Sequence, residues 1–144
     1  MAVAISWLAR RDHTSGELQA RLERKGFEPD AAAAAIAQLL EDRLLNDARY
    51  AANYVMSHAG RGQGPVRIAA DLGQLGLPEA LIHTALAEGG DWAVRAREVR
   101  SRKFGPQVPC DWPEKARQAR FLQYRGFSSD HIRLALGNDF DPDG

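Results

Sequence analysis

The chemistry this chain could perform rests first on positive charge. Between residues 91 and 126 stand Arg95, Arg97, Arg100, Arg102, Lys103, Lys115, Arg117, Arg120 and Arg125, against four acidic residues, a local net of +5. The chain as a whole has 19 basic and 19 acidic residues, so the excess is confined to this stretch. A local basic field attracts phosphates or an acidic protein face. Arg95, Arg97, Arg100, Arg102 and Lys103 recur at helical spacing and cannot all face a core. All nine are taken as the candidate partner- or DNA-binding face.

Catalytic groupings are poorer. Gly60-x-Gly62-x-Gly64 invites a phosphate-loop reading, but no Lys-Ser/Thr follows it and no strand pattern precedes it, so it reads as a flexible loop between helices. His13, His58, His83 and His131 are scattered, with no Cys or acidic partner at metal-ligand spacing. Cys110 has no evident base, and Asp111 with Glu114 is better explained as helix capping beside Pro113. The expectation is a protein without catalytic activity, metal or cofactor. A single cysteine permits no internal disulfide and suits a reducing cytosol. No apolar run approaches the roughly 20 residues that cross a bilayer, and Met1-Ala-Val-Ala-Ile-Ser-Trp7 has no signal-peptide pattern. A cytoplasmic protein is expected. No sustained heptad seam suggests a coiled-coil dimer, so it is taken as a monomer.

The elements that position the basic residues announce themselves by repetition. Leu22, Leu72 and Leu122 lie fifty residues apart, as do Gly26, Gly76 and Gly126. Phe27, Leu77 and Phe127 follow the glycines, and Ala32, Ile82 and Ile132 and then Ala35, Ala85 and Ala135 extend the match. A leucine four residues before a glycine, with an apolar residue just after it, is the signature of a helix stopped by a left-handed turn. Pro29, Pro78 and Ser128 then suit the start of the next helix. A third helix precedes each pair, at 3–12, 47–58 and 91–104. Sustained β alternation is absent, so the predicted class is all-α: three tandem three-helix repeats in an elongated, curved array. The units are placed at 1–45, 46–89 and 90–138, with 139–144 as a disordered acidic tail.

Paired helices around a glycine turn can also place a second helix in a DNA groove. Here residues 31–37 are nearly all alanine and isoleucine, a packing surface without base-reading side chains. Sequence-specific recognition is therefore disfavoured, whereas contact with phosphates or an acidic surface remains open.

Three runs carry a family resemblance. Arg11-Asp-His-Thr-Ser-Gly-Glu-Leu18 with Lys25-Gly-Phe27, then Leu45-Asn-Asp-Ala-Arg-Tyr-Ala51 with Gly64-Pro-Val-Arg-Ile68, and finally Arg120-Phe-Leu-Gln-Tyr-Arg-Gly-Phe127 resemble the successive motifs of the RecX family, over roughly residues 3–137. The second motif departs from the usual acidic pair at Asn46-Asp47, and His58 stands where arginine is common. The resemblance implies binding to the RecA nucleoprotein filament along its helical groove and inhibition of its recombinase, ATPase and coprotease activities. The alternative is a helical repeat protein that binds single- or double-stranded nucleic acid without sequence specificity, through the basic third repeat.

Overall fold

A computed structural model describes residues 1–137; the tail expected at 139–144 lies outside them. The described residues form nine α-helices and no strand. They run α1 (Ala2–Arg10), α2 (Ser15–Arg24), α3 (Pro29–Glu41), α4 (Asp47–Gly60), α5 (Pro65–Gln74), α6 (Glu79–Ala87), α7 (Trp92–Phe104), α8 (Trp112–Arg125) and α9 (Ser129–Leu136). They fall into three consecutive groups of three, and the all-helical repeat architecture follows the sequence pattern.

Each group turns on its glycine. Gly26, Gly76 and Gly126 have φ of 109°, 86° and 97°. The amides of Phe27, Leu77 and Phe127 donate to the carbonyls of Leu22, Leu72 and Leu122 at 3.2, 3.3 and 3.1 Å, while the glycine amides bond three residues back. This double closure satisfies carbonyls a helix end leaves open, and only glycine enters the left-handed region without a β-carbon penalty. Starts are equally explicit. Thr14 caps α2 in a full capping box with Glu17, and Asn46, Asp91, Asp111 and Ser128 each accept an amide of the helix they precede. Pro29 and Pro65 occupy first-turn positions.

The core is divided unevenly. Ala4, Leu18, Leu22, Ala32, Ile36, Leu39 and Leu45 form a separate cluster in the first group. The second and third groups share one continuous core, from Ala51, Val55, Ile68 and Leu72 to Leu122, Phe127, Ile132 and Leu136. The α1 helix sets Ala4 into this first cluster with Val3, Trp7 and Leu8 packed beside it, and the Arg21 guanidinium lies 4.0 Å over the Trp7 ring.

Successive groups meet at two seams built the same way. At the first, the Thr14 hydroxyl donates to the Leu75 carbonyl, the Ser15 amide donates to Asp47 at 2.8 Å, and Gly16 packs on Gly76. At the second, the Gly64 amide donates to the Arg125 carbonyl at 2.8 Å and the Val66 amide to the Gly126 carbonyl at 2.9 Å. In both, the start of one unit's second helix sits on the glycine turn that ends the next unit's second helix. The Gly60–Pro65 segment, expected to be a flexible loop, is therefore part of a packed joint. Gly64 serves close backbone approach, since a β-carbon on it would stand 2.4 Å from the Gly126 carbonyl carbon. The start of α8, Asp111-Trp112-Pro113, has no glycine, and the Trp112 side chain is exposed.

Candidate functional site

The basic residues sit on α7 and α8 of the third unit, and helix geometry decides which of them reach solvent. On α7, Trp92, Ala93 and Ala96 turn inward, and Arg100, one turn further on the same face, goes with them. Arg100 is 3% exposed and donates to the carbonyls of Gly105, Pro106 and Gln107 and to Gln118 Oε1, at 3.0 to 3.2 Å. Five donors in a rigid fork suit a group that must satisfy several carbonyls of one loop. Burial lowers its pKa from the ordinary arginine value, which leaves it charged at neutral pH. Arg100, read from the sequence as a surface contact, instead shapes the loop that joins α7 to α8. Lys115 is likewise buried, on the inward face of α8 with Gln118, Ala119 and Leu122.

Other members of the predicted face are tied down in part. Arg95 grips the Gly89 carbonyl with two nitrogens at 3.0 and 2.8 Å and lies over Trp92. Arg117 pairs with Glu114 through two hydrogen bonds of 2.9 and 2.6 Å and covers the Phe104 ring. These bonds, with a further one from Gln118, hold the Glu114 carboxyl down to about 2. Arg97, Arg102, Lys103 and Arg120 are exposed, and Arg125 is half-buried.

Some of these cations are brought together where the second and third units meet, whereas Arg97 and Arg120 lie elsewhere. Arg102 and Lys103 from α7, Arg125 from α8 and Arg61 from the α4–α5 connection surround Phe121, with Gly62 and Val99 completing a cleft of about 240 Å³. Lys103 Nζ and the Arg125 guanidinium stand 5.8 and 5.3 Å from the centre of the Phe121 ring, and Phe104 meets that ring edge-on at 5.3 Å. Arg125 also reaches the Arg61 carbonyl at 3.5 Å. The cleft has no acidic lining residue. On the other side of α7, a wider groove of about 820 Å³ runs past Arg97, Val108 and Leu134, and Arg102 borders both. Arg61 was not among the sequence candidates. It lies outside every helix, and only the seam brings it beside α7 and α8.

The family comparisons agree with this architecture. Three family models match in order: "RecX, first three-helix domain" over residues 1–39, the second over 46–86 and the third over 93–136. The chain is 45% identical over 133 residues to the regulatory protein RecX of Halorhodospira halophila, covering 92% of this chain and 83% of the relative. It is 44% identical over 140 residues to that of Pseudomonas fluorescens, covering 96% and 90%. Among solved structures it is similar to RecX from Lactobacillus salivarius, with a TM-score of 0.81 at 20% identity over 93% of this chain and 90% of the other, a likeness of fold. Three matched domains in sequence and relatives above two-fifths identity along nearly the whole length place the chain in the RecX family of regulatory proteins.

Proposed function

We propose that the chain binds the RecA nucleoprotein filament and inhibits its recombinase, ATPase and coprotease activities, acting as a binding protein and not as an enzyme. The observation that carries this reading is the convergence of Arg61, Arg102, Lys103 and Arg125 in one unneutralised cleft on a chain of zero net charge. A filament of recombinase on DNA presents acidic groups at regular intervals. Three units joined by alike seams offer several contacts to such a polymer, and linked contacts strengthen one another without any new chemistry. A cytoplasmic site of action follows from the partner, and no described helix is long and apolar enough to cross a membrane.

The test is DNA-dependent ATP hydrolysis by the recombinase under titration with the chain. Inhibition below one chain per recombinase subunit is expected. It should weaken at least several-fold in the Arg102→Glu, Lys103→Glu variant with helicity unchanged. An ATPase rate indifferent to folded protein over a wide concentration range rejects the reading. Charge reversal at Arg100 is unsuitable for this purpose because that side chain is buried.

A further inference from the structure

We propose that the cleft at the second seam is a phosphodiester-binding site, which takes the backbone of a single-stranded nucleic acid and is completed only when the second and third units are joined. The argument begins with the other seam. A cleft of about 220 Å³ stands there too, lined by Asp12, Tyr54, Ser57 and His58 among others. The two are equivalent in place. The caps Asn46 and Asp91 open the corresponding helices α4 and α7, and Tyr54, Ser57 and His58 occupy the positions taken by Val99, Arg102 and Lys103. Counting from the caps Thr14 and Gly64, Asp12 corresponds to Gly62 and Arg11 to Arg61.

One pocket of the fold thus occurs twice with opposite electrostatics. At the first seam, Arg11 is paired with Glu17 at 3.3 Å, and an aspartate lines the cleft. At the second, the position matching Glu17 is Arg67, the aspartate is a glycine, and serine and histidine have become arginine and lysine. Arg61 has a counterpart in Arg11, but the first seam packs with Ser57, His58 and Leu75 where the second has Arg102, Lys103 and Arg125, so packing does not require those three cations. Their presence calls for a ligand.

The chemistry of that ligand follows from how the protein handles carboxylates elsewhere. Glu114 takes two hydrogen bonds from one guanidinium and one from the Gln118 amide, and Asp130 pairs with Arg133 at 3.2 Å. Four cations directed at one space exceed the need of a planar carboxylate and suit tetrahedral phosphate groups, whose oxygens point in several directions. The cleft holds the volume of about eight liquid waters at roughly 30 Å³ each, room for a phosphate and its ester carbons. With Phe121 already covered by Lys103 and Arg125, backbone contact is favoured over base reading, and the site should not discriminate sequence. Since Arg61 comes from the second unit and the rest from the third, an occupant would bridge the seam.

Fluorescence anisotropy of a labelled single-stranded oligothymidylate, without recombinase, tests this. Binding is expected near 50 mM salt and should fall steeply towards 200 mM as counterions are released. The Arg102→Gln, Lys103→Gln variant should bind about tenfold more weakly, with a salt slope smaller by about two. Arg61→Gln should reduce the slope by about one, and Lys103→Arg should retain binding. The control pair Arg10→Gln, Arg24→Gln on the first unit should leave binding unchanged. In the wild-type protein, a dithymidine phosphodiester should shift the Gly62 amide resonance and leave that of Gly26 in place. Equal weakening by the control pair, an unmoved Gly62, or preference for a glutamate-rich peptide over the oligonucleotide overturns the proposal. If nucleic acid fails to bind while filament ATPase is still inhibited, the cleft assignment falls and the filament reading stands.

Discussion

Gly64 and Gly126 meet backbone to backbone across the second seam, at a separation that leaves no room for a methyl group on either. A β-carbon on Gly64 would lie 2.4 Å from the Gly126 carbonyl carbon, and one on Gly126 would lie 2.4 Å from Arg67 Cβ. Gly26, in the equivalent turn of the first unit, has nothing within 4 Å. Gly26→Ala should therefore lose only the left-handed penalty of about 1–2 kcal/mol. Gly126→Ala should lose that and a further roughly 1–3 kcal/mol for forcing the seam apart. Denaturant unfolding of the two variants checks the order, and equal losses would mean that the seam yields freely.

Arg100 is expected to behave as a structural residue. Its removal strands the carbonyls of Gly105, Pro106 and Gln107 in a loop it now holds. Arg100→Met should cost about 2–4 kcal/mol, on the basis of about 1–3 kcal/mol for the buried Gln118 oxygen left unpaired and less for the part-buried loop carbonyls, which rehydrate. Arg100→Lys should restore little, since an ammonium lacks the planar fork. Thermal melts decide this, and a stable Arg100→Met protein with weakened partner binding would return Arg100 to the surface.

His13 gives the first unit a pH dependence. The ring is buried, Nδ1–H donates to the Arg11 carbonyl at 3.0 Å, and Arg21 donates to Nε2 at 3.1 Å, so the folded state holds it neutral. Burial, with the charges of Arg11 and Arg21, lowers its pKa below 6.5 against the opposing pull of that carbonyl and of Glu17. The unfolded chain then takes up a proton at higher pH than the folded one, which favours unfolding as pH falls. The contribution is complete above 6.5 and is lost from there down to the lowered folded value. Melting temperature followed from pH 7 to 5 should fall less steeply in His13→Gln, and parallel curves would exclude the histidine as the cause.

Thr14 joins a helix cap to a seam. Its oxygen accepts the Glu17 amide at 3.0 Å and its hydroxyl donates to the Leu75 carbonyl. Thr14→Val should cost about 1 kcal/mol for the cap and a comparable amount for the seam. Thr14→Ser should cost much less. A Thr14→Val protein as stable as the parent would show that both bonds are replaced by water without loss.

The separate core of the first unit predicts divided stability. Its junction with the second unit is made by hydrogen bonds and the Gly16–Gly76 contact, whereas the second and third units also share one apolar core. Native-state hydrogen exchange should show α1 to α3 opening at lower free energy than the interior of α4 to α9. A single opening energy across all nine helices would show that the polar junction transmits full cooperativity.

Much of this was legible beforehand. The fifty-residue spacing of Gly26, Gly76 and Gly126 encodes local turns, and local turns are written in local sequence. The inward course of Arg100 was also readable, because Trp92, Ala96 and Arg100 share one helical face, a stripe that charge counting passes over. The seams were not readable in this way. Gly16 meets Gly76, and Gly64 meets Gly126, across sixty residues or more, and nothing near either glycine marks its partner. For the same reason Arg61 resembled a linker residue until its neighbours from α7 and α8 were in view.

The second helix of the third unit starts at Asp111, Trp112 and Pro113 without a glycine, whereas α2 and α5 each bring one to the turn of the following unit. The turn of the first unit at Gly26 has nothing within 4 Å and takes part in neither joint. Among the described residues the two joints therefore share one polarity, each unit leaning on the turn of its successor.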